Sequence, residues 1–191
     1  ADRQAYARAP TAIAASELLP AAERRRAGMP AKLALAAGHE ALANAGRDAS
    51  AIATVFASSS GDCDNLHHIL EALATAEREI SPTRFHNSVH NAAVGYWTIG
   101  TGCMAASNSI SAYENSFAAG LLEAAVQCAA DQSPVLLVGY DTPTVGPLTS
   151  VTDSRVCPNS ETRVGRSNAS GSSRSRSTVA RCRSTGDGTA T

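Results

Sequence analysis

The chain has 191 residues, a formal net charge of −1 at pH 7 and a composition that is 43% hydrophobic but only 4% aromatic. This length suffices for one domain with a hydrophobic core. The small net charge gives no sign of a nucleic-acid-binding or membrane-binding chain, and no window holds the roughly 18 apolar residues that span a bilayer.

The cysteines and histidines predict neither disulfides nor a metal site. The five cysteines are irregularly spaced, with no CxxC pair: Cys63, Cys103, Cys128, Cys157 and Cys182. An odd count without a pattern favours a reducing compartment, so we expect a cytoplasmic protein. No cofactor is expected. His86 and His90 have the spacing of two ligands on one helix face, but HNSVH lacks the Glu of HExxH and a third ligand.

The first half of the chain predicts an N-terminal segment, 1–29, and then alternating helix and strand. Met29-Pro30 marks the start of a helix that Gly46 ends. The apolar, partly β-branched run 51–57 predicts a strand, and 58–62 a turn. Apolar residues at helical spacing predict a second helix over about 64–79.

The second half predicts two helices and a buried strand. A helix over 85–99 is broken by Gly100-Thr101-Gly102, and a long Ala-rich helix is expected over 109–130. The uninterrupted apolar run 135–139 is typical of a strand covered on both faces. The order of elements predicts a layered α/β domain over 30–153.

Residues 154–191 differ from the rest in composition. From residue 155 onward the chain contains no Leu, Ile or aromatic residue and is rich in Arg and Ser. Such a segment cannot bury enough apolar area to offset its chain entropy, so a disordered tail is predicted. A product of a shifted reading frame and an Arg/Ser-type RNA-binding tail are the other interpretations, although a nucleic-acid partner is disfavoured.

The stretch from Ser81 to Pro143 resembles a known family. The runs SPTRF (81–85), NSVHN (87–91) with Gly95, SFAAGLLEA (116–124) and the strand 135–140 resemble the N-terminal half of a β-ketoacyl synthase, in its chain-length-factor-like branch. The resemblance implies the N-terminal half of a thiolase-like layered α-β-α fold. A complete member has two such halves, of which this chain supplies one.

The resemblance also implies what the chain lacks. Family synthases carry a nucleophilic cysteine just before the second long helix, and that position is placed here at Ala112. Cys103 lies about nine residues too early and is the weaker alternative. The catalytic histidines of the family belong to the C-terminal half, and nothing after residue 153 resembles their motifs.

Association is the remaining implication. Family members dimerise by pairing a strand, here 105–110, and the expected interface residues are Asn87, Val89, Asn91, Gly95, Asn108 and Ile110. The first hypothesis is a truncated, non-catalytic subunit of fatty-acid or polyketide biosynthesis, of aryl-polyene type. It would act with a catalytic ketosynthase, or as a homodimer, and with an acyl carrier protein. The alternatives are an active 3-oxoacyl-[acyl-carrier-protein] synthase that uses Cys103 and a nucleic-acid-binding protein that uses the Arg-rich tail.

Overall fold

The structure, a computed structural model, describes residue 13, residues 17–149 and the short segments 165–166 and 176–180. The helices are α1 (Ala21–Arg26), α2 (Met29–Ala45), α3 (Cys63–Ala74), α4 (Pro82–His86), α5 (Ala92–Thr101) and α6 (Ser116–Asp131). The strands are β1 (Ala53–Ala57), β2 (Ser107–Ile110), β3 (Val135–Gly139), β4 (Gly165–Arg166) and β5 (Arg176–Ala180). None of the helices in these ranges is long and apolar enough to cross a membrane.

The strands form one mixed sheet in the order β2-β1-β3-β5-β4. The strands β2 and β3 both pair with β1 in parallel, so that Val55 lies beside Asn108 on one side and Leu137 on the other. Parallel strands end at the same edge of a sheet. The residues that follow β1, β2 and β3 therefore meet along one edge, which we call the carboxyl edge.

Helices cover both faces of the sheet. On one face α2 and α5 bury a cluster with the inward side chains of β1 and β3, including Leu35, Trp97, Phe56, Leu136 and Val138. On the other face α6 packs Ala124 and Cys128 against Val55, Val135 and Leu137. This three-layer arrangement confirms the predicted α-β-α class, and the two inner parallel strands, β1 and β3, are apolar because both their faces are covered.

The predicted helix boundaries need three corrections. The helix expected over about 64–79 is α3, which ends at Ala74 because Thr75 is extended. The segment expected as one helix over 85–99 is two, α4 and α5, because Asn87 turns inward and its amide donates to the Arg26 carbonyl at 2.7 Å. The long helix begins at Ser116 rather than Ser109, since Ser109 and Ile110 pair with β1 as part of β2. The start and end of α2 agree with the sequence signals, and Gly46 has the left-handed φ of +60°.

Most of the tail predicted to be disordered, 154–191, lies outside the described residues, as do residues 1–12 and 14–16. The prediction did not include the two segments of the tail that are strands. The strand β5 pairs antiparallel with β3, and β4 extends the sheet beyond it. Without β5, the strand β3 would be an edge strand with unpaired backbone groups along its outer side. The strand β5 pairs with these backbone groups.

Gly120 allows α6 to approach the sheet closely. A β-carbon at this position would lie 2.8 Å from the Ala57 β-carbon and 3.1 Å from Leu137 Cδ1. We expect Gly120→Ala to lower the free energy of unfolding by about 1–3 kcal/mol, the usual effect of overpacking. Gly95→Ala is the matched control, because its β-carbon would meet nothing within 4 Å. Urea unfolding compares the two, and equal stability would contradict this packing.

Candidate functional site

Asp141 joins the ends of two strands at the carboxyl edge. Its Oδ1 accepts hydrogen bonds from the Ser58 hydroxyl at 2.9 Å and from the backbone N–H groups of Ser59 and Ser60 at 2.9 and 3.2 Å. A carboxylate that accepts several such bonds holds a loop firmly. The loop that follows β1 is therefore fixed against the end of β3.

A strained turn connects β2 to α6. Tyr113 has a φ of +52°, which is uncommon for a residue with a side chain. The turn is held by its neighbours: the Tyr113 carbonyl accepts from the hydroxyls of Ser59 at 2.7 Å and Ser116 at 2.6 Å, and the Ala112 N–H donates to Ser116 Oγ at 2.9 Å. We call residues 111–116 the elbow.

The elbow has the geometry that presents a nucleophile in many α/β enzymes, in which a sharp strand-to-helix turn exposes one side chain. Tyr113 stands at its tip and is 64% exposed. Ala112, the position expected from the sequence, directly precedes the tip and has a φ of −145°. Neither residue supplies a thiol.

Cys103 lies at the opposite edge of the sheet. It is 2% exposed, and its Sγ donates to the carbonyl of Ile52, which precedes β1, at 3.4 Å. The amino end of a parallel strand faces away from its carboxyl edge. The structure therefore does not bring Cys103 to the elbow.

The other described cysteines are also buried. Cys63 begins α3 near the carboxyl edge, where burial raises the pKa of its thiol while its Sγ donates to the Ser60 carbonyl at 3.6 Å. A raised pKa keeps a thiol protonated and unreactive at neutral pH. Cys128 packs under α6, so no cysteine in 17–149 is an exposed nucleophile. Cys157 and Cys182 lie outside the described residues.

Five of the six residues predicted for the interface are accessible to solvent, and one is buried. Val89, Asn91 and Asn108 are exposed, and Gly95 and Ile110 are partly buried. Asn87 is buried, and its Oδ1 accepts from the Tyr96 hydroxyl at 2.9 Å. Asn87 therefore anchors the turn between α4 and α5 from within instead of facing a partner.

The outer side of β2 is open within the part of the chain that the structure describes. The backbone N–H groups of Thr54 and Ser58 donate to the carbonyls of Ala106 and Ile110. The backbone groups of the even-numbered residues in 106–110 therefore point toward β1. Alternate residues of a strand direct their backbone groups to opposite sides. Ser107 and Ser109 thus direct their N–H and C=O groups away from the sheet.

The two histidines do not lie on one helix face, as their spacing suggested. His86 ends α4 and lies edge-on to Tyr96, with 6.3 Å between the ring centres, whereas His90 lies in the following turn. Within the described ranges, no three His, Cys, Asp or Glu side chains are grouped as metal ligands.

Asp62 gives a pH-dependent prediction. Burial raises the pKa of this carboxyl above its ordinary 3.8, although its Oδ1 caps α3 by accepting from the Asn65 N–H. The folded chain then binds the proton more tightly than the unfolded chain, so the free energy of unfolding falls as pH rises through the folded pKa. We expect Asp62→Asn, which keeps a capping side chain, to reduce that fall in urea unfolding measured at a series of pH values. Asp64→Asn, at an exposed position of the same turn, is the control, and an equal change in both variants would contradict the assignment to Asp62.

Comparison with known proteins identifies the family. The profile described as "Beta-ketoacyl synthase, N-terminal domain" matches residues 1–175. The chain belongs to this family. The match confirms the resemblance carried by the segment 81–143, whereas curated protein sequences give no match.

Solved structures of β-ketoacyl synthases and related proteins share the fold. A chain from the complex of the ketosynthase ApeO with its chain length factor ApeC from Xenorhabdus doucetiae is 33% identical, with a TM-score of 0.63, over 74% of this chain and 57% of that chain. The ishigamide ketosynthase/chain length factor is 14% identical, with a TM-score of 0.57, over 72% of this chain and 40% of that one. A β-ketoacyl synthase from Burkholderia phymatum STM815 is 20% identical, with a TM-score of 0.59, over 75% and 37%.

The three structures differ in how much their similarity supports. At 14% and 20% identity the last two show the fold alone. The chain spans 57%, 40% and 37% of the three structures, less than two thirds of each. It therefore corresponds to one part of the β-ketoacyl synthase fold.

Three site features were missed by sequence reasoning. Asp141 lies two residues after β3, and an acidic residue so close to the end of a buried strand could have marked it as a carboxyl-edge residue. The strained φ of Tyr113 has no sequence signal, since left-handed positions are usually recognised by Gly or Asn. The hydrogen bonds of His90 to Ser58 and Ser109 were not predicted, because the sequence analysis considered His90 only as a possible metal ligand together with His86.

Proposed function

We propose that this chain is a non-catalytic, chain-length-factor-like subunit that pairs with a catalytic ketosynthase. The pair would act on acyl chains attached to an acyl carrier protein, in polyketide or fatty-acid biosynthesis of the aryl-polyene type. The observation that carries the proposal is the elbow, which keeps the strand-to-helix geometry but has Tyr113 at its tip.

The chemistry of condensation supports a non-catalytic role. A Claisen condensation needs a nucleophile that holds the acyl group as a thioester and donors that stabilise the enolate. Residues 111–116 include no cysteine, and Cys103 is buried at the other edge of the sheet. An acyl thioester on Cys103 would have to displace the core around Ile52.

One relative supports the pairing. The structure with 33% identity is a ketosynthase in complex with its chain length factor. The open side of β2 and the exposed residues beside it offer a surface on which strand pairing with such a partner can occur.

The elbow residue suggests how the subunit would act on an acyl chain. In α/β folds ligands bind outside the carboxyl ends of the strands, which is where the exposed Tyr113 ring stands. A bulky ring at this position would limit the space that a growing chain can enter.

The proposal is tested by mass spectrometry and activity assays on the full chain. We expect no acyl adduct from an acyl-thioester donor and no decarboxylation of malonyl carrier protein by this chain alone, whereas a stable complex should form with a catalytic ketosynthase. The ketosynthase alone is the positive control for adduct formation. A stoichiometric adduct on Cys103 would overturn the non-catalytic assignment, and the absence of a complex would overturn the pairing.

A further inference from the structure

The imidazole of His90 bridges two strand ends at the carboxyl edge. Its Nε2 lies 3.2 Å from the carbonyl oxygen of Ser58, and its Nδ1 lies 3.0 Å from the hydroxyl of Ser109 in β2. A carbonyl oxygen can only accept, so Nε2 carries the hydrogen in this contact. The ring therefore links Ser58, the residue that follows β1, to the neighbouring strand β2.

This contact meets the network that fixes the elbow. The Ser58 hydroxyl donates to Asp141, which also holds the Ser59 N–H, and the Ser59 hydroxyl donates to the carbonyl of Tyr113. Asp141 thus holds the loop after β1 from the β3 side, and His90 holds it from the other. The strained φ of Tyr113 persists only while its surroundings constrain it.

His90 also belongs to the turn that carries Val89 and Asn91. The buried Asn87 fixes the start of this turn, and the Ser109 hydroxyl of β2 lies within hydrogen-bond distance of both the Nδ1 and the carbonyl oxygen of His90, at 3.0 and 3.3 Å. The turn is tied both to the core and to β2. The imidazole of His90 extends from this turn to the Ser58 carbonyl, at the start of the loop that follows β1.

We propose that His90 is a positioning residue for the elbow, acting through the carbonyl of Ser58. The inference rests on the proposed role of the elbow in the subunit. It assigns to His90 neither metal binding nor proton transfer, but a hydrogen bond that holds Ser59, and through it Tyr113, in place.

The experiment uses a reporter thiol at the tip of the elbow in the full chain. A cysteine in Tyr113→Cys has a thiolate whose stability depends on its position against the N-terminal N–H groups of α6, so the pH profile of its alkylation by iodoacetamide reports the geometry of the elbow. In this background His90→Gln and His90→Asn form a matched pair. The glutamine amide reaches the position of Nε2 and can donate to Ser58, whereas the asparagine amide reaches only the position of Nδ1 and Ser109.

We expect His90→Gln to keep the parent profile and His90→Asn to slow alkylation at neutral pH about fivefold, as expected for the loss of one hydrogen bond. His39→Ala, at an exposed histidine of α2, should leave the profile unchanged. The proposal is overturned if both His90 variants keep the parent profile, if both are slowed equally, or if only His90→Gln is slowed. The experiment needs no partner, so its failure is separate from a failure of the pairing with a ketosynthase.

Discussion

A cysteine introduced at Tyr113 should react faster with iodoacetamide than any native cysteine of 17–149 and faster than a cysteine introduced at Ala112. Tyr113 is exposed at the tip of the elbow and begins the helical run that continues into α6. A thiol at a helix N-terminus has a lowered pKa, and a decrease of one unit gives about tenfold more thiolate at neutral pH. The rate constants are measured from the alkylated peptides by mass spectrometry over a range of pH.

Two controls separate the causes of that reactivity. Val126→Cys places a thiol at a similarly exposed position, 56% against 64% for Tyr113, but within α6 and away from its N-terminus. Ala112→Cys moves the thiol by one residue. If Val126→Cys reacts as fast as Tyr113→Cys, exposure alone explains the rate. If Ala112→Cys is the faster, the nucleophile position is Ala112, as the resemblance placed it.

The layered fold could be predicted from the sequence because its signals are local. The start of α2 is set by Pro30 and its end by Gly46, and both signals agree with the structure. The apolar run of β3 was correctly predicted to lie between two covered faces, since all five of its residues are buried. Each of these features depends on a hydrophobic pattern or on one residue with a restricted backbone.

The details of the site depend instead on contacts between distant residues. Ser58 and Asp141 lie 83 positions apart in the chain, and no local pattern links them. The break at Asn87 requires the backbone of Arg26, 61 residues earlier. The resemblance placed the nucleophile position at Ala112, and no local sequence pattern signals that the next residue, Tyr113, adopts the left-handed φ.

The second large effect is expected at Val89. This side chain is 53% exposed on a turn whose position is fixed by Asn87 and His90, next to the open side of β2. If the ketosynthase partner, or a second copy of this chain, pairs along β2, Val89→Arg would place a charge in the resulting contact. Burying an unpaired charge in an interface costs about 2–5 kcal/mol, which corresponds to a loss of affinity of about thirtyfold or more. Titration of the chain against an immobilised catalytic ketosynthase measures this loss, and light scattering measures self-association.

Val126→Arg is the matched control, because it makes the same substitution at a residue that is 56% exposed on the opposite layer of the fold. The surface of α6 around it also exposes Leu121 and Leu122, so a chain that associates through non-specific apolar contact would respond at Val126 as strongly as at Val89. We expect the Val89 substitution alone to weaken the complex, with the helix content by circular dichroism unchanged in both variants. Loss of binding in Val126→Arg with full binding in Val89→Arg would move the interface from the β2 side of the sheet to the outer face of α6.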